Sequence, residues 1–461
     1  MRREALRPLI FKDGALFGAR PAGLRIIAVL CALMAFPALS TDLYLPAMPA
    51  MAEALRAGPG AMAWTVSGFL IGFSLGQLVW GPIGDRYGRR APIAAGLVIF
   101  ALGSAGCAMA TSAQQMIFWR VVQAAGASAA VVLSRAMVRD LYQGEKAAQA
   151  MSTLMTIMAA APLVAPLAGS QILALASWRA IFWTLVLLPA AALAALATTP
   201  ETLPRERRNK ESLRAAFAAY GDLLAHRQIL GFAGVGAFFY AGLFAYIAGS
   251  PFAYIACHGV SPAWYGALFG LGTFGIMAAN LLNARLIPLF GSFRLLRAGT
   301  LVAAGASMML ALDARTGLGG LAGLVAPLFF FVASAGLIIA NSITAAMAGR
   351  PERAGAVSAL VGALHYGAGV VGSGLVGALG DGTPLADGRD RRAVRPRQRR
   401  LRLDAGCGET AKSDILIGRP SPQTLTWNNG SCAAPLVRGC TRLVGAVSHA
   451  RRDRQEPPWP I

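Results

Sequence analysis

An all-α membrane protein, with eleven spanning helices in blocks of six and five, is the fold class the sequence predicts. Apolar residues fill 56% of 461 positions and charged residues only 14%, against roughly one-quarter charge in soluble domains. The apolar stretches have the ~20-residue length that a bilayer-crossing helix needs. A net charge of +21 on a soluble chain would point to nucleic acid. Here the basic residues collect in alternate loops, so membrane lipid is the expected surrounding and no nucleic-acid partner is expected.

The first six runs extend roughly from Ile26 to Leu45, Ala61 to Trp80, Ala91 to Ala110, Met116 to Val138, Ala148 to Leu175 and Trp178 to Ala197. A polar connector over 200–228 separates this N-terminal bundle, 26–199, from a C-terminal one, 229–380. The later runs are roughly Ile229 to Tyr254, Trp264 to Ile287, Leu295 to Leu312, Leu318 to Ala348 and Ala356 to Leu379. Residues 1–25 hold six basic side chains, from Arg2 to Arg25, and read as a cytoplasmic N-terminus. Arg86, Arg89, Arg90, Arg139, Lys146, the connector arginines, Arg285, Arg294, Arg297, Arg350 and Arg353 fall on the same side. The opposite loops carry little beyond Arg56, Arg179 and Arg315. The first run is of spanning length with no small-residue cleavage pattern after it, so it is expected to stay. Six cysteines without a C-x-x-C spacing indicate neither a metal site nor a disulfide framework, and no cofactor is expected.

Between the second and third runs stands Gly81-Pro-Ile-Gly-Asp85-Arg86-Tyr-Gly88-Arg89-Arg90. Its glycines permit a tight turn, and Asp85 can face a helix N-terminus or an arginine. The stretch resembles the loop between helices 2 and 3 of the major facilitator superfamily, G-x-L-A-D-R-x-G-R-[KR]. That resemblance implies two pseudo-symmetric helical bundles that rock about a central site, with Gly81, Asp85, Arg86, Gly88, Arg89 and Arg90 governing the conformational change. Only eleven of the family's twelve helices are present, six and five, with the twelfth missing.

The connector opens with Pro200-Glu-Thr-Leu, which resembles the segment after helix 6 in that superfamily. Leu213, Phe217, Tyr220 and Leu224 recur at helical spacing, which fits either a helix lying on the cytoplasmic face or a solvated linker. Asn280 to Arg294 occupies the place of the signature loop in the second half, ending at Gly291, but lacks its aspartate. Gly68, Gly72 and Gly76 share one face of the second run, and the eleventh is glycine-rich from Gly362 to Gly377. These small faces suit close packing of the two helices on each other, sliding or static. G-x-G-x-x-G strings at Gly270, Gly367 and Gly372 lie inside spanning runs with no strand before them, so they do not indicate a dinucleotide site.

Asp42 is the only acid in the first run, in Ser40-Thr-Asp42-Leu-Tyr-Leu-Pro46-Ala-Met-Pro49 near its outer end. A carboxylate at that depth is expensive to ionise, so its protonation should respond to substrate or helix movement; capping a broken helix end is the alternative. Arg120 enters with the fourth run, and at ~1.5 Å per residue both side chains lie roughly 6 to 8 Å below the outer boundary, within approach of each other. Phe118-Trp-Arg120-Val-Val-Gln123-Ala-Ala-Gly126 resembles the helix 4 motif R-x-x-Q-G-x-G, with Ala124 at the first glycine. Pro162, Pro166 and Gly169 in the fifth run are similar to the exporter element G-P-x-x-G-G, with Ala161 and Ser170 departing from it. The prolines should bend that helix.

STDLYLPAMP, the signature loop, RAMVRDLY at 135–142, APLVAP and WRAIF at 178–182 together resemble the bicyclomycin-resistance (Bcr/CflA) branch of drug:proton antiporters, over about 25–383. The resemblance implies a monomeric, multi-pass protein of the bacterial inner membrane that exports small drugs while protons enter, with Asp42 and Arg120 coupling the two. Export of one natural metabolite, such as a sugar or nucleoside, is the alternative substrate reading. An intramembrane enzyme would need a nucleophile with a base, or a metal cluster; H-E-x-x-H and G-x-S-x-G are absent and the histidines 226, 258, 365 and 449 are dispersed. Within the membrane, His365 is expected to pack or hydrogen-bond.

The segment 381–461 departs from this pattern, with eight arginines between residues 387 and 402 where a twelfth apolar helix is expected. Arginine codons of the type CGN, read one base later, become Ala, Val, Gly, Asp or Glu. With suitable synonymous codons residues 385–410 shift into an apolar run without charge until its end. A single-base insertion or deletion near codon 384 is therefore expected, leaving a disordered tail and a chain that transports poorly or not at all as written.

Overall fold

The computed structural model of the protein describes residues 21–208, 213–316, 319–350 and 353–379. The expected basic N-terminal segment before residue 21 and the tail at 381–461, with the lost twelfth helix, lie outside the described residues. Eleven helical segments among the described residues are long and apolar enough to cross a membrane. The first is broken into α1 (Pro21–Asp42), a 3-10 turn (Leu45–Ala47) and α2 (Met48–Ala54). Pro46 and Pro49 cause the break, since neither can donate the backbone hydrogen bond that would continue α1. Asp42 is thus the last residue of α1 rather than an interior one.

The N-terminal half continues with α3 (Pro59–Tyr87), α4 (Arg90–Met109), α5 (Ala113–Leu141), α6 (Gly144–Leu175) and α7 (Trp178–Ala197). After the connector come α8 (Leu213–Leu224), α9 (Arg227–Pro251), α10 (Pro262–Phe290), α11 (Ser292–Thr316), α12 (Gly320–Ala333), α13 (Ala335–Met347) and α14 (Ala354–Leu379). The tenth run, expected as one helix, is divided at Ser334, whose hydroxyl donates to Phe331 O at 2.6 Å. The seventh ends in a wide π turn, Phe252–Cys257. The two prolines of α6 are accommodated without interrupting it.

Helix α8 exists; among its described side chains Tyr220 and Leu223 are buried, while Leu224 is exposed. The face expected from Leu224 is corrected by one position. Tyr220 and Leu223 pack with Ile229, Val357 and Val361, fastening the connector beneath α9 and α14, where Asp222 also pairs with Arg353 at 2.9 Å.

The two halves meet along α3 with α14 and α6 with α10. Ser67 and Ser373 share a buried hydrogen bond of 2.7 Å across the first seam, and Ser74 donates to Ala363 O at 2.8 Å. Such bonds within a membrane protein contribute only about 1 kcal/mol each, which holds the seam without locking it. The glycine face of α3 points elsewhere than expected. Gly68 and Gly72 lie against the backbone of Ile117 and Val121, and Gly76 against Ser128, all on α5, so they compact the N-terminal bundle rather than line the seam. On α14, Gly362, Gly367, Gly374 and Gly377 do face α3, meeting Gln77, Ser74 and Trp64, whereas Gly372 faces α9 and Gly369 lies between Phe244 of α9 and Leu70 of α3.

Candidate functional site: two charge clusters and an aromatic bridge

The signature turn is made by Gly88, whose φ of 94° suits a residue without Cβ. A side chain there would also meet Glu201 Oε2 at 2.7 Å. The turn aims Arg89 into the bundle, where it is 5% exposed. Its Nη1 donates to Asp85 Oδ1 at 2.7 Å, its Nε to Asp140 Oδ2 at 2.8 Å and its Nη2 to Asp140 Oδ1 at 3.3 Å. Glu201 accepts from the backbone N–H of Arg89 at 2.8 Å and of Arg90 at 3.2 Å, placing a carboxylate at the start of α4, where the helix dipole favours one. Partial burial would push Glu201 upward, but the N–H groups of Arg89, Leu203, Arg90 and Thr202 outweigh it and hold the carboxyl below its ordinary 4.5.

The six signature residues are therefore not one device. Arg89 is the hub, Gly88 the turn and Asp85 a half-exposed partner. Gly84 and Gly81 set the approach of α3 to Leu133 and Val132 on α5. Arg86 lies over the Tyr87 ring, and Arg90 donates to Ala197 O at 3.0 Å. Sequence reasoning gave no role to Asp140 or Glu201, although RAMVRDLY and PETL, which carry them, stood out. The missing signal was spatial, since the three segments are separated in sequence and converge only when α3, α5 and the end of α7 share one face.

At the other end, Arg120 is fully buried and Asp42 is 4% exposed. The structure brings them into one neighbourhood, but no ion pair within 4.0 Å joins them among the described residues. Arg120 Nη1 instead donates to Ser40 O at 2.9 Å and to Gln123 Oε1 at 2.6 Å. Its guanidinium lies between the rings of Tyr44 and Phe69, at 4.5 and 4.4 Å. Stacking of this kind stabilises a desolvated cation by about 2 kcal/mol. Gln123 passes the chain on, donating to Ser104 Oγ at 2.7 Å, which donates to Phe100 O at 2.8 Å. The R-x-x-Q spacing thus places both side chains on one face of α5. Gly126 approaches Gly96 and Phe100, and Ala124 fits because the residue across from it, Gly72, has no side chain.

Gly169 lies against the backbone of Leu43, so the helix 5 element cradles the turn carrying Asp42 and Tyr44. Pro166, Leu163 and Leu167 meet Gly266 and Gly270 of α10 across the halves. Tyr44 donates to, or accepts from, Thr65 at 3.0 Å. Leu43, Leu45 and Met48 are buried, and the 3-10 turn and α2 that follow Asp42 pack against α10 and the π turn of the other half, which carry Tyr265 and Tyr254.

Between the two ends, aromatic rings join the halves. Phe73 meets Tyr366 at 4.6 Å, Tyr366 meets Tyr240 at 5.3 Å and Phe244 at 5.8 Å, and His365 stacks on Tyr240 at 4.8 Å. His365 occupies the space a side chain at Gly236 would take. This bridge was not legible in the sequence because single aromatics in apolar runs carry no pattern. Among the described residues no group of three or more His, Cys, Asp or Glu is placed to hold a metal.

The sequence profile of the Major Facilitator Superfamily matches residues 29–373. The chain belongs to this superfamily. It is 36% identical over 342 residues to an uncharacterized MFS-type transporter, YdgK, of Bacillus subtilis, covering 74% of this chain and 85% of that one. It is 32% identical to a bicyclomycin resistance protein homolog of Haemophilus influenzae, covering 77% and 89%, which places it in the bicyclomycin-resistance branch. A chloramphenicol resistance protein of Pseudomonas aeruginosa is 30% identical, with 74% and 80% covered. In fold, it is similar to the xylose transporter XylE of E. coli in a partially occluded inward-open conformation, with a TM-score of 0.59, 16% identity and coverage of 76% and 92%. A bacterial homolog of the human lysosomal transporter Spinster, inward-facing, gives 0.62 at 17% identity, with 96% and 100% covered. The protein is a multi-pass membrane transporter of the major facilitator fold.

Proposed function

We propose that this transporter is a monomeric proton-coupled exporter of the bacterial inner membrane, with a cytoplasmic N-terminus, that expels small drugs or metabolites as protons enter. The names of its bicyclomycin- and chloramphenicol-resistance relatives support export of drugs. The observation that carries proton coupling is Asp42, buried at the break of α1 with no direct arginine partner among the described residues. An ion-paired carboxylate would be held in one charge state, whereas this one can gain and lose a proton as its access changes. Arg120, fixed by a carbonyl, an amide and two rings, supplies a steady positive field beside it.

Alternation follows from the seams. Proton binding at Asp42 removes a buried charge from the Leu43–Met48 turn, which packs against α10 and the π turn of the other half. The signature end answers by remaking the Arg89 cluster. Export of a single natural metabolite such as a sugar or nucleoside would use the same coupling, and a transport panel separates it from drug export.

The test is pH-driven substrate accumulation by everted vesicles carrying the frame-restored chain, where Asp42→Asn should abolish the driven component while keeping the protein in the membrane. Driven accumulation that persists in the Asn variant overturns the assignment. The expected frameshift near codon 384 is open to the same test. The assay should compare the chain as written with one whose frame is restored there, with transport recovered in the second.

A further inference from the structure

Arg135 lies on α5 on the side opposite in depth to Arg120, half-buried between the halves. Its Nε is buried without a hydrogen-bond partner, and its Nη2 reaches only Met158 Sδ, at 3.9 Å. Thioether sulfur is a weak acceptor, and a guanidinium cannot shed its charge to relieve the mismatch. None of the ion pairs among the described residues includes Arg135. Facing it from the other half are Tyr240 and Tyr366, both in electrostatic range of the guanidinium. Both tyrosines are half-buried, as are Arg135 and Met158, although all four lie within spanning segments. Arg135, Tyr240 and Tyr366 face one another rather than lipid, so their partial exposure marks open space between the halves. Phe73 and Phe244 wall that space with rings.

We propose that Arg135, Tyr240 and Tyr366 form a substrate-recognition subsite that selects molecules carrying an acceptor oxygen group, a carboxylate or a carbonyl, on an aromatic or apolar body. The guanidinium supplies charge-assisted donors from the N-terminal half, and the Tyr240–Tyr366 pair, whose hydroxyls bond each other, supplies the one hydroxyl hydrogen it does not use internally from the C-terminal half. The aromatic walls take the apolar body. Because donors come from both halves, a bound acceptor group joins the two bundles and can bias their rocking. The inference rests on the export reading and names the substrate class for it.

The experiment uses the full chain, purified into lipid nanodiscs, and equilibrium dialysis with three matched probes: naphthoate, naphthamide and naphthylmethylammonium. Naphthoate should bind about tenfold or more tightly than the ammonium probe, with the amide between, as a charge-assisted contact predicts. Arg135→Gln should abolish the preference, Arg135→Lys should retain part of it, and Tyr366→Phe should weaken naphthoate and naphthamide together. Size-exclusion profiles confirm that each variant is folded. Equal or tighter binding of the ammonium probe, an undiminished preference in Arg135→Gln, or no binding of any probe to the wild type would each overturn the subsite. Anion preference with no pH-driven transport by the frame-restored chain would instead sink the export reading and leave the subsite standing; transport without preference does the reverse.

Discussion

Arg89 and Arg120 belong to the same six-helix half and are 5% and 0% exposed, yet they are held in opposite ways. Arg89 spends three of its nitrogens on two carboxylates, with a third carboxylate fixing the backbone beside it. Arg120 meets only neutral groups: a carbonyl, an amide and two rings, with Nε and Nη2 left without partners. A charge matched by opposite charges is a fastener, and removing one member strands the rest. A charge held by neutral groups keeps its field available to Asp42. On the proposed function, the contrast separates a region that holds one arrangement from one that senses a change.

The widest expected effect comes from removing the sensing charge. In the frame-restored chain Asp42→Asn should reduce pH-driven transport to background in vesicles, while leaving heat stability of the detergent-purified protein within ~1 kcal/mol of wild type, because no ion pair among the described residues is lost. A large stability loss would mean that Asp42 is a structural cap and would erase the contrast. Arg120→Lys comes next. Lysine keeps the charge but not the flat guanidinium that stacks on Tyr44 and Phe69 while bonding Ser40 and Gln123, so coupling should fall well below half. Full coupling in the Lys variant would show that charge alone suffices.

At the fastening end, Asp140→Asn should cost ~2 kcal/mol in stability, since it faces a buried arginine, and should deplete one state in cysteine-accessibility labelling. Asp85→Asn should do less, because the Asp85 side chain is 51% exposed and that of Asp140 17%. The reverse order would move the hub from Asp140 to Asp85.

The smallest effect concerns pH. Glu201 is held below its ordinary 4.5, so the stability it contributes is present above about 4.5 and is lost as pH falls through its lower folded value. Unfolding midpoints of wild type and Glu201→Gln measured from pH 7 downward should therefore differ at neutral pH and converge as the pH falls through the lowered folded value. Parallel curves would remove Glu201 from the cluster.

Much of the fold was legible before any coordinates. Eleven apolar runs, their alternation with basic loops, and the ordered Gly, Asp, Arg and Gly of the signature turn are local properties, written in consecutive residues. Asp42 and Arg120 were legible for the same reason, since a lone charge in an apolar run has to be explained. What the sequence could not convey was partnership. The even glycine spacing of α3 was clear, but whether it faced α14 or α5 depended on how the bundle closed.

The rest was decided by tertiary structure because each case turns on groups distant in sequence. Asp140 and Glu201 gain their role from meeting Arg89, and Arg135 from standing opposite Tyr240 and Tyr366. The separation of Asp42 from Arg120 was also set in three dimensions, where two prolines ended α1 and gave Arg120 to Ser40 O, Gln123 and two rings instead. Periodicity and composition determine which segments cross the membrane, because burial in lipid is a one-body requirement. Which charge is satisfied and which is left able to respond is a many-body matter, and only the packed helices decide it.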